Sequence, residues 1–221
     1  MYLPIYLKMQ FNPILQSVKE VIEKKIRNWK TTFVNCVVNW KQQMKKINVL
    51  ENYARIDNLI ISGLPSVDYS DAASANTTQD ATESSQSTER AVLEFVNNTL
   101  NVPIKSNDIS IAHRLKRTTA TGQNPPNIMV RFANRKNRND VYAAQRQLRT
   151  TSLRPGNPNQ AIYINEDLTK ENVQIFKQAR ATVRQKTLHK CWTNDGFVFV
   201  KISATSHTKV KIFKIADLMK L

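Results

Sequence analysis

Apolar residues recur at alternating spacings of four and three from Leu15 to Ala54, without an intervening proline or glycine. A heptad pattern sustained over this length predicts one long helix whose apolar stripe packs against another helix. We therefore predict a coiled coil over residues 14–54 that makes the chain a homo-oligomer. The residues expected to carry self-association are Ile22, Ile26, Trp29, Phe33, Cys36, Trp40, Ile47 and Leu50.

The side chains of this seam bear on the number of helices that it joins. Trp29 and Trp40 are bulky for a two-stranded seam, and Lys19 and Gln43 place polar groups within it. We favour a trimer over a dimer on this ground, and a helix folded back on its own domain remains the alternative. Residues 1–13 are interpreted as an extension that lacks the basic start and cleavage site of a signal peptide.

A second feature is the basic stretch of residues 127–149, which begins with the alternation of a strand. Ile128 and Val130 fall on one face of that strand, which leaves Arg131 on the open face of the predicted sheet.

The same stretch continues as a predicted helix from Arg135 to Arg149. At about 100° per residue, five side chains fall within an arc of roughly 80°: Arg135, Arg138, Tyr142, Arg146 and Arg149. Val141, Ala144 and Leu148 point away from this arc, towards a core. A basic face with no acidic partner repels itself unless an anion covers it, so we predict a polyanion site, with a solvated surface as the alternative.

A similar basic face recurs in the helix predicted over Asp167–Lys186. Ile175 and Ala179 line one side of it, and the basic side chains that gather on another side include Lys177, Arg180 and Arg184. Arg154 lies in the Pro- and Gly-containing connection between the two basic helices. We expect this connection, residues 150–160, to be mobile.

The overall charge agrees with an anionic partner. The chain of 221 residues has 33 Lys and Arg against 17 Asp and Glu, a formal net charge of +16. Nucleic acid is the commonest partner for such a balance, and an anionic membrane surface is the runner-up. No run of residues approaches the length of a membrane span.

The sequence offers little for catalysis, metal or cofactor binding. His189 and Cys191 are close in sequence, but no second ligand pair or orienting carboxylate has a recognisable spacing. Four glycines in the whole chain do not form a phosphate-binding loop. Glu166 and Asp167 are interpreted as a helix start rather than a metal pair. We therefore predict a protein that is not an enzyme, with no cofactor, metal or small-molecule substrate.

The remaining patterns complete the predicted fold. Strand and helix patterns from Asn58 onwards follow the order β-α-β-β-α-β, and residues 66–88 are interpreted as a disordered insertion. Thr88–Leu100 is predicted to be a helix that Ser87 or Thr88 caps. Asp108–Leu115 is predicted to be a strand with Ile109 and Ile111 on one side. The last domain is predicted to have a hairpin that turns at Asn194-Asp195-Gly196. The predicted fold class is α+β, with an RNA-recognition-motif-like domain over residues 55–165 and a small α/β carboxy-terminal domain over residues 166–221.

Several local sequences resemble one known family. ENYARIDNLIISGLP, IAHRL, PPNIMVRFANRKNRNDVYAAQRQLR and IYINEDLTKENVQIFKQAR resemble the RNA-binding protein encoded by the first open reading frame of LINE-type retrotransposons. They are also similar to the baculovirus few-polyhedra (FP) protein, whose carboxy-terminal domain many invertebrate elements share. The resemblance covers about residues 45–221, and the insertion at 66–88 departs from it in length.

The resemblance implies a coiled-coil oligomer that clamps single-stranded RNA or DNA between two basic domains and acts as a nucleic-acid chaperone. It places the binding positions at Arg131, Arg135, Lys136, Arg138, Arg180 and Arg184. The open sheet face was expected to lack stacking aromatics, which favours sequence-tolerant binding through the phosphate backbone. Tyr142, Phe197 and Phe199 are candidates for stacking, with ordinary packing as the alternative.

The alternative function is that of a viral FP-type structural or trafficking protein, which would act through protein or membrane contacts. We expect a cytoplasmic ribonucleoprotein, with the nucleus as a second compartment. RNA versus DNA, two versus three strands, and a retroelement versus a viral context remain open at the level of the sequence.

Overall fold

The computed structural model describes residues 5–65, 84–116, 125–149 and 161–221. The chain divides into two units, Met1–Leu50 and Glu51–Leu221. The described residues form a mixed α+β structure with one long helix and two antiparallel sheets.

Helix α1 extends from Ile5 to Arg55, a length of 51 residues. The long amino-terminal helix is thereby confirmed. The coiled coil predicted over residues 14–54 lies within this helix and stays a prediction.

The predicted β-α-β-β-α-β order is confirmed in the first sheet. Its strands are β1 (Asn58–Ser62), β2 (Ile109–Arg114), β3 (Ile128–Phe132) and β4 (Tyr163–Glu166). Helix α2 (Ser85–Glu94), extended by a π-helical segment (Phe95–Thr99), lies between β1 and β2, and a 3₁₀ turn (Ser106–Asp108) precedes β2. Helix α3 (Arg135–Ala144) and a 3₁₀ segment (Gln145–Arg149) lie between β3 and β4. The spatial order is β2-β3-β1-β4, and each neighbouring pair is antiparallel.

Both helices of this region cover one face of the first sheet. Val92 and Val96 of the α2 segment, and Val141 of α3, join the same core as the alternate strand residues Leu59 and Val130. These five side chains are fully buried. The opposite face, which we call the open face, carries the residues between them.

A β-bulge changes the predicted faces of β2. Ile109 and Ile111 were expected on one side of the strand, but the register shifts between them. As a result Ile109 and Ala112 are buried, whereas Ile111 is 47% exposed on the open face with His113. The extra residue of a bulge reverses the alternation from that point onwards.

The predicted insertion has a different boundary. Residues 66–83 lie outside the described residues, and Ser85–Thr88 form the first turn of α2, so the predicted end at residue 88 is wrong. The cap also differs from the Ser87 or Thr88 that we expected. Ser84 is the N-cap, because its side chain accepts a hydrogen bond from the backbone N–H of Ser87.

The second sheet is formed by β5 (Lys190–Asn194), β6 (Phe197–Lys201) and β7 (Val210–Ile212), in that order. Helix α4 (Lys170–Arg184) and the short helix α5 (Ile215–Leu218) supply Ile175, Ala179 and Leu218 to its core. Val198 and Val200 face this core, as the alternation in the sequence predicts. Phe197 and Phe199 therefore lie on the other face.

The hairpin turn is located as predicted. Asp195 and Gly196 both have positive φ angles, 51° and 75°, which is the backbone of a type I′ turn. Helix α4 begins after Thr169, whose side chain accepts from the N–H of Asn172. Thr169 is therefore the cap of α4, and Glu166 and Asp167 precede the helix.

Candidate nucleic-acid interface

Arg131 is the basic residue on the open face of the first sheet. Its side chain is exposed, whereas those of Val130 and Phe132 beside it are buried, so its predicted orientation is confirmed. Across the neighbouring strands it pairs with Asn58 on β1 and Ile111 on β2.

Tyr163 is an exposed aromatic residue on the same face, and it is missing from the sequence-based set of site residues. It pairs with Ser62 of β1 and is 60% exposed, whereas Ile164 is 2% exposed. The alternation in Tyr163-Ile164-Asn165 indicates that Tyr163 faces away from the core if Ile164 faces it. The expectation that the open face lacks an aromatic side chain is therefore wrong.

The register gives the spacing between these two groups. Arg131 lies opposite Asn58, and Tyr163 lies opposite Ser62 on the other side of β1. Two strand spacings and four residues along the strand correspond to roughly 17 Å between their Cα atoms. Ile60 and Met129 occupy the area between them, and no carboxylate belongs to the described strand residues of this face.

The start of α3 holds two further predicted residues at the surface. Asn134 caps the helix by accepting from the N–H of Lys136, and the Lys136 side chain is exposed. Arg135 is also exposed, but its Nε donates to Asp57 Oδ1 at 2.8 Å. This hydrogen bond raises the pKa of Arg135 above its ordinary value. The expectation that the face has no acidic partner is therefore wrong at Arg135.

Arg138 is not part of an exposed face, and that prediction is wrong. Its Nη2 donates to Glu166 Oε1 at 2.8 Å, and the two side chains are 3% and 2% exposed. The partner lies on β4, too distant in sequence for helical periodicity to indicate it. A buried guanidinium paired with a carboxylate is a structural group and is not available to a strand at the surface.

Glu166 connects this ion pair to the second sheet. Its Oε2 accepts from the N–H of Gly196 at 3.2 Å. Asn172 Nδ2 donates to the Gly196 carbonyl, and Asn52 Nδ2 donates to the Asp195 carbonyl, both at 2.8 Å. All three side chains are buried, so the hairpin turn is held by polar groups from three other segments.

Asp167 is the counterion of α1. Arg55 Nη1 donates to Asp167 Oδ1 at 3.1 Å, and Asn58 Nδ2 donates to Asp167 Oδ2 at 2.9 Å. The two adjacent carboxylates are thus structural partners of two arginines. The interpretation of Glu166 and Asp167 as a helix start is wrong.

The remaining predicted residues of this stretch differ in their exposure to solvent. Tyr142 is half-buried, with its hydroxyl 3.4 Å from Thr193 Oγ1 and its ring 5.0 Å from the Arg138 guanidinium carbon, so it packs between the sheets. Arg146 is exposed, but it lies in the 3₁₀ segment, where about 120° rather than 100° separates successive residues. The backbone of Arg149 ends this segment, and Arg154 lies outside the described residues.

Helix α4 presents its predicted basic side chains to the solvent. Lys177, Arg180 and Arg184 are all exposed, and the Arg180 guanidinium carbon lies 5.8 Å from the centre of the Phe176 ring. Arg180 and Arg184 also line an open pocket of about 250 Å³ whose other lining residues are Phe176, Val183, His189, Lys190 and Cys191. Lys190 was not among the predicted site residues.

Cys191 is a packing residue in this pocket. Burial raises the pKa of its thiol, and the positive charge of Arg180 opposes that effect. The described residues contain no cluster of three or more His, Cys, Asp or Glu side chains able to hold a metal ion.

Comparisons with known proteins add no assignment. No family model matches the chain, and a search of curated proteins returns no match.

Helix α1 exposes the predicted seam. Ile22, Ile26, Trp29, Phe33, Trp40, Ile47 and Leu50 are between 46% and 68% exposed, and Cys36 is exposed as well. Exposed apolar surface of this extent on a helix usually marks an interaction site. Among the described residues, every helix is too short or too polar to cross a membrane.

Proposed function

We propose that this protein binds single-stranded nucleic acid with little sequence preference and self-associates through α1. The observation that carries the proposal is the composition of the open face. Arg131 and Tyr163 are exposed on a sheet face whose described strand residues include no carboxylate. An aromatic ring can stack on an unpaired base, and a guanidinium can pair with a phosphate.

The strand order supports this function by analogy. A four-stranded antiparallel sheet covered on one side by two helices is the architecture in which RNA-recognition motifs leave one sheet face for unpaired bases. We interpret the first sheet in that way. A single exposed aromatic residue, in place of two or three, favours contact with the phosphate backbone over reading of the sequence.

Further exposed basic side chains lie outside the sheet, on α3 and α4. Lys136 and Arg146 of the α3 region and Lys177, Arg180 and Arg184 of α4 are exposed cations. We propose that a strand contacts both groups, as in the nucleic-acid chaperones of LINE-type retrotransposons that the sequence resembles. RNA and DNA are both candidate ligands.

Self-association follows from the exposed seam of α1. A helix whose large apolar side chains are exposed gains stability when a second or third copy covers them. We propose a homo-oligomeric coiled coil, which would increase avidity for a long strand by presenting several binding surfaces together.

The test is a titration of fluorescent single- and double-stranded RNA and DNA with the full chain at several salt concentrations. Arg131→Gln combined with Tyr163→Leu should lower single-strand affinity by at least about tenfold, because base stacking alone contributes about 1–3 kcal/mol. Lys220→Gln, which removes another cation, and Tyr163→Phe, which removes only the hydroxyl, serve as separate controls.

Both controls should bind as the unchanged chain does, since Lys220 follows α5 and belongs to neither sheet, and phenylalanine keeps the ring. Equal affinity of the folded Arg131→Gln/Tyr163→Leu variant at moderate salt would overturn the proposal. Binding to anionic vesicles in preference to single strands would instead favour the viral FP-type alternative.

A further inference from the structure

The outer face of the second sheet, opposite its core, combines aromatic and basic side chains. Trp192 on β5 pairs with Phe199 on β6, and Phe199 pairs in turn with Lys211 on β7. Phe197 lies two residues from Phe199 and therefore on the same face. None of these residues is needed for the core of α4, β5, β6 and β7.

The aromatic side chains form two adjacent pairs. The rings of Trp192 and Phe199 are nearly parallel, with an angle of 16° and 6.0 Å between their centres. The rings of Phe197 and Phe213 meet edge to face at 6.5 Å. Trp192, Phe197 and Phe199 are half-buried, and Phe213 is 54% exposed. The Trp192 and Phe199 rings are thus partly open to solvent and could take a planar ligand.

Lysines surround these rings. Lys190 lies directly opposite Lys201 across β5 and β6, next to the Trp192–Phe199 pair. Like charges in directly opposite positions destabilise a sheet, and among the described residues neither lysine forms an ion pair with a carboxylate. An anion bound beside the Trp192 ring would remove this repulsion.

Lys211 supplies a third cation on the other side of the rings. Its Nζ lies 3.2 Å from the centre of the Phe197 ring and 5.1 Å from that of Phe213. Burial lowers the pKa of Lys211, and Asp195 in the hairpin turn opposes this effect. Asp195 is the acidic group nearest to this face in the hairpin.

We infer that this outer face is a base-stacking platform for unpaired nucleotides, with Trp192 and Phe199 as the stacking surface and Lys190, Lys201 and Lys211 as phosphate contacts. The inference rests on the proposed single-strand binding and adds a second contact surface to it. An apolar protein surface would leave the opposed lysines without a counterion, whereas a nucleotide strand supplies bases for the rings and phosphates for the cations.

The experiment uses the full chain with Trp29→Phe and Trp40→Phe, so that Trp192 is the single tryptophan that remains of three. Its fluorescence is followed during titration with oligothymidylate and with an abasic strand of the same length. The abasic strand keeps the phosphates and lacks the bases. We expect quenching by oligothymidylate and no quenching by the abasic strand.

Affinities of two variants complete the test in the otherwise unchanged chain. Trp192→Leu/Phe199→Leu should lose at least about tenfold in affinity for oligothymidylate and keep its affinity for the abasic strand. Tyr53→Leu is the matched control, because it removes an exposed aromatic ring that belongs to neither sheet, and it should bind both strands as the unchanged chain does. Thermal unfolding of each variant shows whether the hairpin remains intact.

Each outcome separates the two proposals. If the leucine variant, folded, still prefers oligothymidylate as strongly as the unchanged chain does, the platform is overturned while single-strand binding stands. If the unchanged chain binds neither strand at low salt, the proposed function fails and the platform fails with it. If Trp192 responds to anionic vesicles and not to oligothymidylate, the face contacts a membrane and the inference is overturned.

Discussion

Arg138 Nη2 lies 2.8 Å from Glu166 Oε1, and neither side chain is more than 3% exposed. This ion pair joins α3 to β4, and the second carboxylate oxygen of Glu166 accepts from the hairpin turn of the second sheet. Replacing one residue of such a buried ion pair strongly lowers the stability of the fold, because the other residue stays buried with an unpaired charge.

We predict that Arg138→Met lowers the free energy of unfolding by about 3–5 kcal/mol, measured by urea denaturation. Arg146→Met, at an exposed position, should change it by less than about 0.5 kcal/mol. Arg138→Met combined with Glu166→Leu should cost less than the sum of the single changes. A folded Arg138→Met variant of unchanged stability and weakened strand binding would restore Arg138 to the interface.

Gly196 should not accept a side chain. Its φ of 75° disfavours other residues, and a Cβ at this position would overlap the side-chain amide of Asn52. Gly196→Ala is therefore expected to lower the unfolding free energy by at least about 2 kcal/mol. Asp195→Asn is the matched control, because Asn-Gly is a preferred type I′ pair. Equal stability of both variants would contradict the role assigned to this turn.

The salt dependence of binding should report the number of arginine contacts to phosphate. Each contact to a single strand contributes about 0.7 to the slope of log affinity against log salt concentration. Arg131→Gln combined with Arg180→Gln should therefore reduce the slope by about 1.4. Lys220→Gln should leave it unchanged. If the double variant has the same salt slope as the unchanged chain, neither arginine contacts a phosphate.

The seam should determine the mass in solution. Ile26→Asp combined with Ile47→Asp places charges on the exposed apolar stripe and should yield the monomer mass of 25.4 kDa in light scattering. Thr31→Asp adds the same side chain on the opposite side of the helix and should leave the oligomer intact. A monomeric unchanged chain at micromolar concentration would reject the coiled coil.

The two cysteines should differ in reactivity towards iodoacetamide. Burial raises the pKa of Cys191, so the thiolate that reacts forms only at a more alkaline pH than usual. Cys36 is exposed on α1 and should react faster at neutral pH in the Ile26→Asp/Ile47→Asp variant than in the oligomer. Peptide mass spectrometry assigns each label. Preferential labelling of Cys191 at neutral pH would contradict this order.

Local patterns in the sequence were sufficient for much of the fold. Alternation located β3 and β6, and the Asp195-Gly196 pair located the hairpin. The helical spacing of Val141, Ala144 and Leu148 identified the side of α3 that is buried. Each of these features depends on neighbours a few residues away, which is the range over which periodicity carries information.

The site was less predictable because long-range partners decide which charges remain exposed. Asp57 and Glu166 are far in sequence from Arg135 and Arg138, and no helical spacing connects them. The direction of a side chain was predicted from a regular strand or helix. The bulge in β2 and the 3₁₀ segment after Ala144 depart from that regular geometry, so the side chains after them point elsewhere. Tyr163 was predictable from its strand, but a short strand gives a weak alternation signal.

The hydrogen bonds at the hairpin turn have a consequence for amide hydrogen exchange. The tip of a hairpin usually exchanges early, yet the Gly196 N–H is buried and donates to Glu166. This amide can exchange only when the hairpin separates from β4. Fraying at the strand ends does not break its hydrogen bond to Glu166. The exchange rate of this one amide therefore measures how often the two sheets part, and a strand bound to both sheets should slow it.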